Sequence, residues 1–312
     1  MTAYTQASSN RLKTWLIMLL FAFFVTFLIY IFTTALGFNG PSALGFSGVA
    51  LIIAGLVNFI SYYNSDKIVM VISGAKQIQK KDNLNLFRVI ENLSIASGQP
   101  LPKIYIINDS APNAFATGRD PQHASIAFTT GILEKLSKLE LEGVAAHELS
   151  HVDNYDTRLM TIVSILVGTV ALAADLFLRI SFYSHRDRDD NRANGLFMVL
   201  GLIMAILAPI VAMLIQLSIS RKREFLADAS GALLTRNPDA LAEALLKISN
   251  DKEPLEVANK ATAHLYITNP FKLDSKGKVY PEQSRGAIGW FANLFNTHPP
   301  ISERIKILRA MQ

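Results

Sequence analysis

The 312-residue chain contains no cysteine. That removes disulfides, thiolate metal ligands and a cysteine nucleophile together, and leaves His, Asp and Glu as the side chains able to hold a metal. Charge is nearly missing from the first 65 residues, where Arg11 and Lys13 stand alone; a soluble chain scatters charge through any stretch of that length. Internal repeats and low-complexity tracts are also lacking, so solenoid and linker architectures are excluded. What remains is a chain that is 50% hydrophobic with a net charge of +5, too apolar for disorder and long enough for about two domains.

The apolar residues are concentrated in runs. Trp15 to Leu36 is uncharged, rich in Leu, Ile and Phe, and long enough to cross about 30 Å of hydrocarbon. A secretory signal peptide is the rival reading, but its apolar core is about 7 to 15 residues. After a turn at Gly40 and Pro41, Ala43 to Tyr63 is a second such run, ending where Asp66 and Lys67 begin. Two more follow at about 160–178 and 196–217, so the chain reads as four spans in two hairpins. Asp175 in the third run is matched by Arg179 as an interfacial ion pair. The expected organisation is a first hairpin (1–65), a water-facing domain (66–158), a second hairpin (159–218) and a second water-facing part (219–312). Lys/Arg counting puts the N-terminus, the domain after the second span and the Arg221-Lys222-Arg223 cluster on one side, the cytoplasmic one. Within the first water-facing part Asp82 is a candidate cap for a helix through Ala96, Ile104–Ile107 and Ser125–Phe128 read as short strands, and Leu139 to Tyr155 as a helix. Helices are also expected near Pro238–Ser249 and from Pro300.

The chemistry is carried by His147-Glu148-Leu149-Ser150-His151, an H-E-x-x-H pattern. With 6 His among 312 residues, chance alone yields roughly 0.004 copies of it. Positions i and i+4 lie one above the other on a helix, so the two imidazoles converge on one metal. Glu148 points about 100° around the axis, where a carboxylate meets a metal-bound water instead of the ion. A catalytic zinc takes a third protein ligand. Glu224 is the candidate, with Asp228 one turn on as a hydrogen-bond acceptor for a ligand imidazole. On spacing alone, a solvated acidic face beside Arg221–Arg223 explains these two acids as well. Asn113 to Gly118 fits either a strand or a loop, with Asn113 capping a turn. His123, His185 and His264 have no partner pattern and read as solvated or packing residues.

The H-E-x-x-H segment with Asn154 and Asp156 after it, Asn113 to Gly118, Glu224 to Asp228, and Thr297-His298-Pro299-Pro300 with Glu303 and Arg304 together resemble the HtpX family of membrane zinc metalloproteases, in order over nearly the whole chain. The resemblance implies a gluzincin-like α+β fold, mostly helical with a small sheet. It implies one zinc per chain held by His147, His151 and Glu224, with Glu148 as the catalytic acid/base. It also implies proteolytic quality control of membrane proteins at the bacterial cytoplasmic membrane, with no role for nucleic acid. It favours Asn113, Ala114, Phe115 and Ala116 as a substrate-binding strand, and places His298 near the site, where it stabilises an oxyanion or holds a gating segment; a surface histidine is the alternative. Arg304 is expected to pair with an acid for structural reasons. Two rivals to a zinc endopeptidase at the membrane face stand beside it: an intramembrane zinc protease, and a non-catalytic membrane protein with a structural zinc. The stretch from Ile267 to Arg285 is a candidate lid.

Overall fold

The computed structural model describes residues 3–35, 40–166, 221–257, 262, 265–268 and 299–311. The fourth expected span, most of the third, the Asp175–Arg179 pair, His185, His264, His298 and nearly all of the candidate lid lie outside the described residues.

Two long helices, α1 (Ala3–Ala35) and α2 (Pro41–Ile72), form the N-terminal hairpin. Within them Ser9–Phe27 and Leu44–Ile72 are long and apolar enough to cross a membrane. Leu19, Phe23, Ile52 and Leu56 point outward from them, as a hydrocarbon environment requires. Between the helices Asn58 Nδ2 donates to the Met18 carbonyl at 2.9 Å. Helix α2 runs past the span end expected at Tyr63, but its backbone leaves helical geometry at Asn64 (φ −121°, ψ 15°). The Tyr63 carbonyl accepts from Arg119 Nη1 at 3.1 Å. The kink therefore falls where the charged residues begin.

A four-stranded mixed sheet follows, in the order β1-β2-β4-β3, from β1 (Lys76–Gln77), β2 (Lys103–Ile107), β3 (Ala114–Gly118) and β4 (Ala124–Thr129). Strands β2 and β4 are parallel, and β3 lies antiparallel to β4 at the sheet's edge with Ala116 opposite Ile126. Side-chain alternation divides the sheet between two cores. Ile104, Ala114, Ala116, Ile126 and Phe128 face the helices α3 (Leu84–Ser97), α5 (Lys138–Asp153) and α7 (Pro238–Asn250). Ile107, Phe115 and Ala127 face Val69 and Met70 at the end of α2, together with Leu265 and Tyr266. Being covered on both sides, β3 and β4 are buried throughout, which is why Ser125–Phe128 reads as a strand without polar alternation.

The cap of α3 is Asn83, whose Oδ1 accepts from Leu86 N at 3.0 Å, and not Asp82. Asp82 instead accepts from Gln79 N in the preceding turn at 2.7 Å. After the short helix α4 (Thr130–Lys135), a capping box starts α5: Glu140 N donates to Ser137 Oγ and Ser137 N to Glu140 Oε2. Beyond a turn at Asn154 and Tyr155, residues 156–166 are again helical and pack Leu159, Ile162 and Val163 against Ile17, Met18 and Phe21 of α1. The described chain is completed by α6 (Arg221–Thr235), α7, and α8 (Ile301–Arg309).

Candidate metal centre

Helix α5 is the centre of the domain: it carries His147, Glu148 and His151 and is buried on nearly every side from Glu140 to Val152. Two glycines allow this. A Cβ on Gly143 would stand 2.9 Å from Leu241 N of α7, and one on Gly231 of α6 would stand 3.0 Å from His147 N. Helix α6 therefore rests backbone to backbone on α5 beside the first histidine. Glu224, Asp228 and Gly231 recur at helical spacing along α6, so close approach at Gly231 turns both acids toward the imidazoles.

The two rings are nearly perpendicular (88°) with centroids 4.8 Å apart. His147 Nε2 lies 3.8 Å from Glu224 Oε2, and His151 Nε2 lies 3.4 Å from Glu224 Oε1. The opposite ring nitrogens are each backed by a carboxylate: His147 Nδ1 by Asp228 Oδ1 at 3.0 Å, and His151 Nδ1 by Asp156 Oδ2 at 3.1 Å. These contacts fix which nitrogen of each ring faces Glu224. Metal bonds of 2.0–2.1 Å in a tetrahedron set ligand atoms about 3.3 Å apart. Donor atoms of His147, His151 and Glu224 all lie within 4.8 Å of one another, all three residues are buried, and the donor set is two imidazoles and a carboxylate. The residues fit a metal of the zinc type.

Glu148 is buried beside the cluster and accepts from the Ala116 amide of β3 at 2.9 Å. Burial raises its pKa; the neighbouring imidazoles oppose this without cancelling it. Burial would lower the pKa of His151, but Glu224 and hydrogen-bonded Asp156 outweigh it and hold the imidazole well above its usual value. Arg304 of α8 has no exposed surface. It clasps Asp228 with Nε at 2.8 Å and Nη2 at 2.7 Å, and reaches Glu224 at 3.6 Å. Although burial pushes upward, this guanidinium holds the Asp228 carboxyl down at about 2. Asp228 is the acid with which Arg304 was expected to pair.

Ala114 to Gly118 form an edge strand, resolving the strand-or-loop alternative. Asn113 caps no turn: its Oδ1 accepts from Ala114 N at 3.1 Å and its Nδ2 donates to the Thr268 carbonyl at 3.2 Å. Ile267 N donates to the Ala114 carbonyl at 3.0 Å, so the chain's own 265–268 segment covers the start of this edge. His123 is half exposed and pairs with Asp120 at 2.6 Å, away from the cluster. Three residues escape the sequence reading: Asn10 and Arg223, both bonded to Asp156, and Asp156 itself as the support of His151. An acid five positions after the second histidine of the H-E-x-x-H pattern, just past the helix end, is the signal that points to Asp156; Asn10 leaves none.

Residues 80–312 match the sequence profile of Peptidase family M48. The chain belongs to Peptidase family M48. This M48 peptidase is 41% identical over 310 residues to the Protease HtpX homolog of Dictyoglomus thermophilum, covering 99% of this chain and 95% of the relative. It is 46% identical over 261 residues to the Protease HtpX homolog of Tropheryma whipplei (84% of each chain). With that of Lactobacillus helveticus it shares 39% over 315 residues (99% of each). A solved structure, that of S. mikatae Ste24p, is similar with a TM-score of 0.48 at 20% identity, covering 95% of this chain and 67% of that one. The M48 peptidase is thus a membrane-bound, metal-dependent hydrolase of polypeptides, and two of its helices are long and apolar enough to cross a membrane.

Proposed function

We propose that the protein is a zinc endopeptidase whose site opens at the cytoplasmic face of the bacterial inner membrane and cleaves damaged or misfolded membrane proteins. The single observation that supports this best is the convergence of His147, His151 and Glu224, each imidazole backed by its own carboxylate, beside the buried Glu148. His147, His151 and Glu224 would hold the zinc, which when bound activates water and polarises a peptide carbonyl. Glu148, its pKa raised by burial, accepts the proton of the attacking water and delivers it to the leaving amine. An extended substrate would pair along β3, where Ala116 presents its amide to the same side as Glu148. Backbone pairing holds a chain without selecting side chains, and this suits a quality-control protease. The covering of Ala114 by Ile267 limits that pairing to the Ala116 end of the strand.

The domain plan follows: two membrane hairpins, at 1–65 and 159–218, alternate with the two parts of the protease domain at 66–158 and 219–312. His298 stays a candidate for oxyanion stabilisation on resemblance alone. Against an intramembrane site stands the packing of α5, which is enclosed by sheet and helices instead of lipid. Against a structural zinc stands Glu148, a carboxylate buried beside the three donors that a closed structural site does not use. The test is Glu148→Gln in the full-length protein. Cleavage of an unfolded polypeptide should be abolished while bound metal per chain is unchanged; retained cleavage would remove Glu148 from this role.

A further inference from the structure

The carboxylate behind His151 is itself held in place from the membrane side. Asp156 has no exposed surface. Its Oδ2 faces His151 Nδ1 at 3.1 Å, and its Oδ1 accepts from Asn10 Nδ2 at 2.7 Å. Arg223 of α6 reaches the same Oδ1 only at 3.5 Å. Asn10 lies 144 residues before Asn154, one residue into the apolar segment Ser9–Phe27 of α1, and is fully buried. Its Nδ2 also donates to the Asn154 carbonyl at 2.9 Å. A flipped amide would set its oxygen against two acceptors, so the orientation is dictated by the neighbours. The next residue, Arg11, stacks over the Tyr155 ring at 4.2 Å. Tyr155 has φ 57°, a left-handed conformation unfavourable for an aromatic residue, so the turn that delivers Asp156 carries strain that its contacts must offset. Neighbouring residues of α1 thus bond all three positions of that turn, 154, 155 and 156.

We propose that Asn10 is a positioning residue of the metal centre: by fixing Asp156 it fixes the His151 ring, so that the first membrane helix is a working part of the site. This rests on the reading of His147, His151 and Glu224 as metal ligands. Loss of the Asn10 amide leaves Asp156 Oδ1 with the long Arg223 contact and removes the tie from α1 to the Asn154 carbonyl, so Asp156 holds the His151 ring less firmly before metal arrives. Supports of this kind change metal affinity by about 10- to 100-fold.

The test uses the full-length protein in detergent, loaded with Zn2+ or Co2+, and measures the metal dissociation constant by chelator competition and the cobalt absorption spectrum. Asn10→Leu should weaken binding by about 10- to 100-fold and alter the cobalt bands. Asn10→Asp, which keeps the shape but opposes one carboxylate with another, should weaken it at least as much. Thr14→Val, one turn along α1, removes only a bond from Thr14 Oγ1 to the Asn10 carbonyl and should leave both readouts as in the parent. Wild-type affinity and spectrum in both Asn10 variants overturn the proposal, as does full affinity in Asn10→Asp alone, which would reduce Asn10 to a packing role. His151→Ala separates the two levels of inference: if it keeps metal at wild-type affinity, the ligand assignment fails; if it loses metal while the Asn10 variants do not, only the role of Asn10 fails.

Discussion

Gly231→Ala perturbs the metal centre without touching a polar group. The added methyl would lie 3.0 Å from His147 N, 3.2 Å from its Cα and 3.3 Å from the Ala146 carbonyl carbon. Carbon contacts are comfortable at about 3.5 to 4.0 Å, so α6 must retreat from α5 by several tenths of an ångström. All three neighbours are backbone in the middle of a buried helix and none can swing aside. Overpacking of this kind costs about 1 to 3 kcal/mol, against about 1 kcal/mol gained from replacing glycine inside a helix. The net loss is about 0 to 2 kcal/mol. The effect on the site should be larger than the effect on the fold. Glu224 sits two turns earlier on the same helix and moves with it, and functional constellations tolerate only about 0.5 Å of misplacement. Chelator competition should show metal binding weakened about tenfold while thermal unfolding of the metal-free protein shifts by a few degrees. Unchanged metal affinity together with a gain in stability near 1 kcal/mol would mean that α6 does not bear on α5 at this point, and the account of how Glu224 is placed would fall with it.

Asp228→Asn should be among the most damaging single-atom changes in the chain: it leaves the fully buried Arg304 guanidinium with only the 3.6 Å contact to Glu224 in place of its close carboxylate partner, a loss of about 3 to 5 kcal/mol for a broken buried pair, read by thermal or denaturant unfolding. A third prediction concerns pH. Burial opposes the charge on Glu140, but Lys247 at 2.8 Å and the Ser137 cap overcome it and lower the pKa. The stabilisation is then fully present above the ordinary glutamate value and lost as pH falls through the lower folded one, and Glu140→Gln should flatten that part of the stability curve.

The parts of this site that are local in sequence were legible, and those made by long-range approach were not. His147, Glu148 and His151 follow from a helix and a spacing of four. Ser137 and Glu140, which start that helix, form a local capping box that the expectation of a helix from Leu139 passes over. By contrast Asp82 and Asn83 are both good caps, and only the chain's path selects Asn83. Glu224 was separable from a solvated acidic face only by resemblance, because what turns it inward is a glycine contact between helices far apart in sequence. Asn10 was least visible. A polar residue at the edge of an apolar run looks like an ordinary flank, and its purpose depends on a turn that folds against it from 144 residues away.

Charge explains why the cluster suits a cation. Among the described residues four carboxylates are buried around the imidazoles, those of Glu148, Asp156, Glu224 and Asp228, against two guanidiniums, those of Arg223 and Arg304. Four negative charges less two positive leave an excess of two, which a divalent ion cancels with both histidines neutral. Uncompensated charge in such an interior is expensive, and a titratable group responds first. His151 does so: burial disfavours its cationic form, yet Glu224 and Asp156 raise its pKa well above 6.5. With His151 as a metal ligand, metal and proton would compete for the same nitrogen, and binding the ion would release the proton. Below the raised pKa of His151, metal affinity should climb about tenfold per pH unit for one proton displaced, and it should level off above that pKa. Chelator competition between pH 6 and 8 reads this directly, with the chelator's own protonation subtracted. A flat profile from the ordinary histidine value upward would show that the four acids do not hold a proton on His151, and the balance of charges argued for this pocket would be wrong.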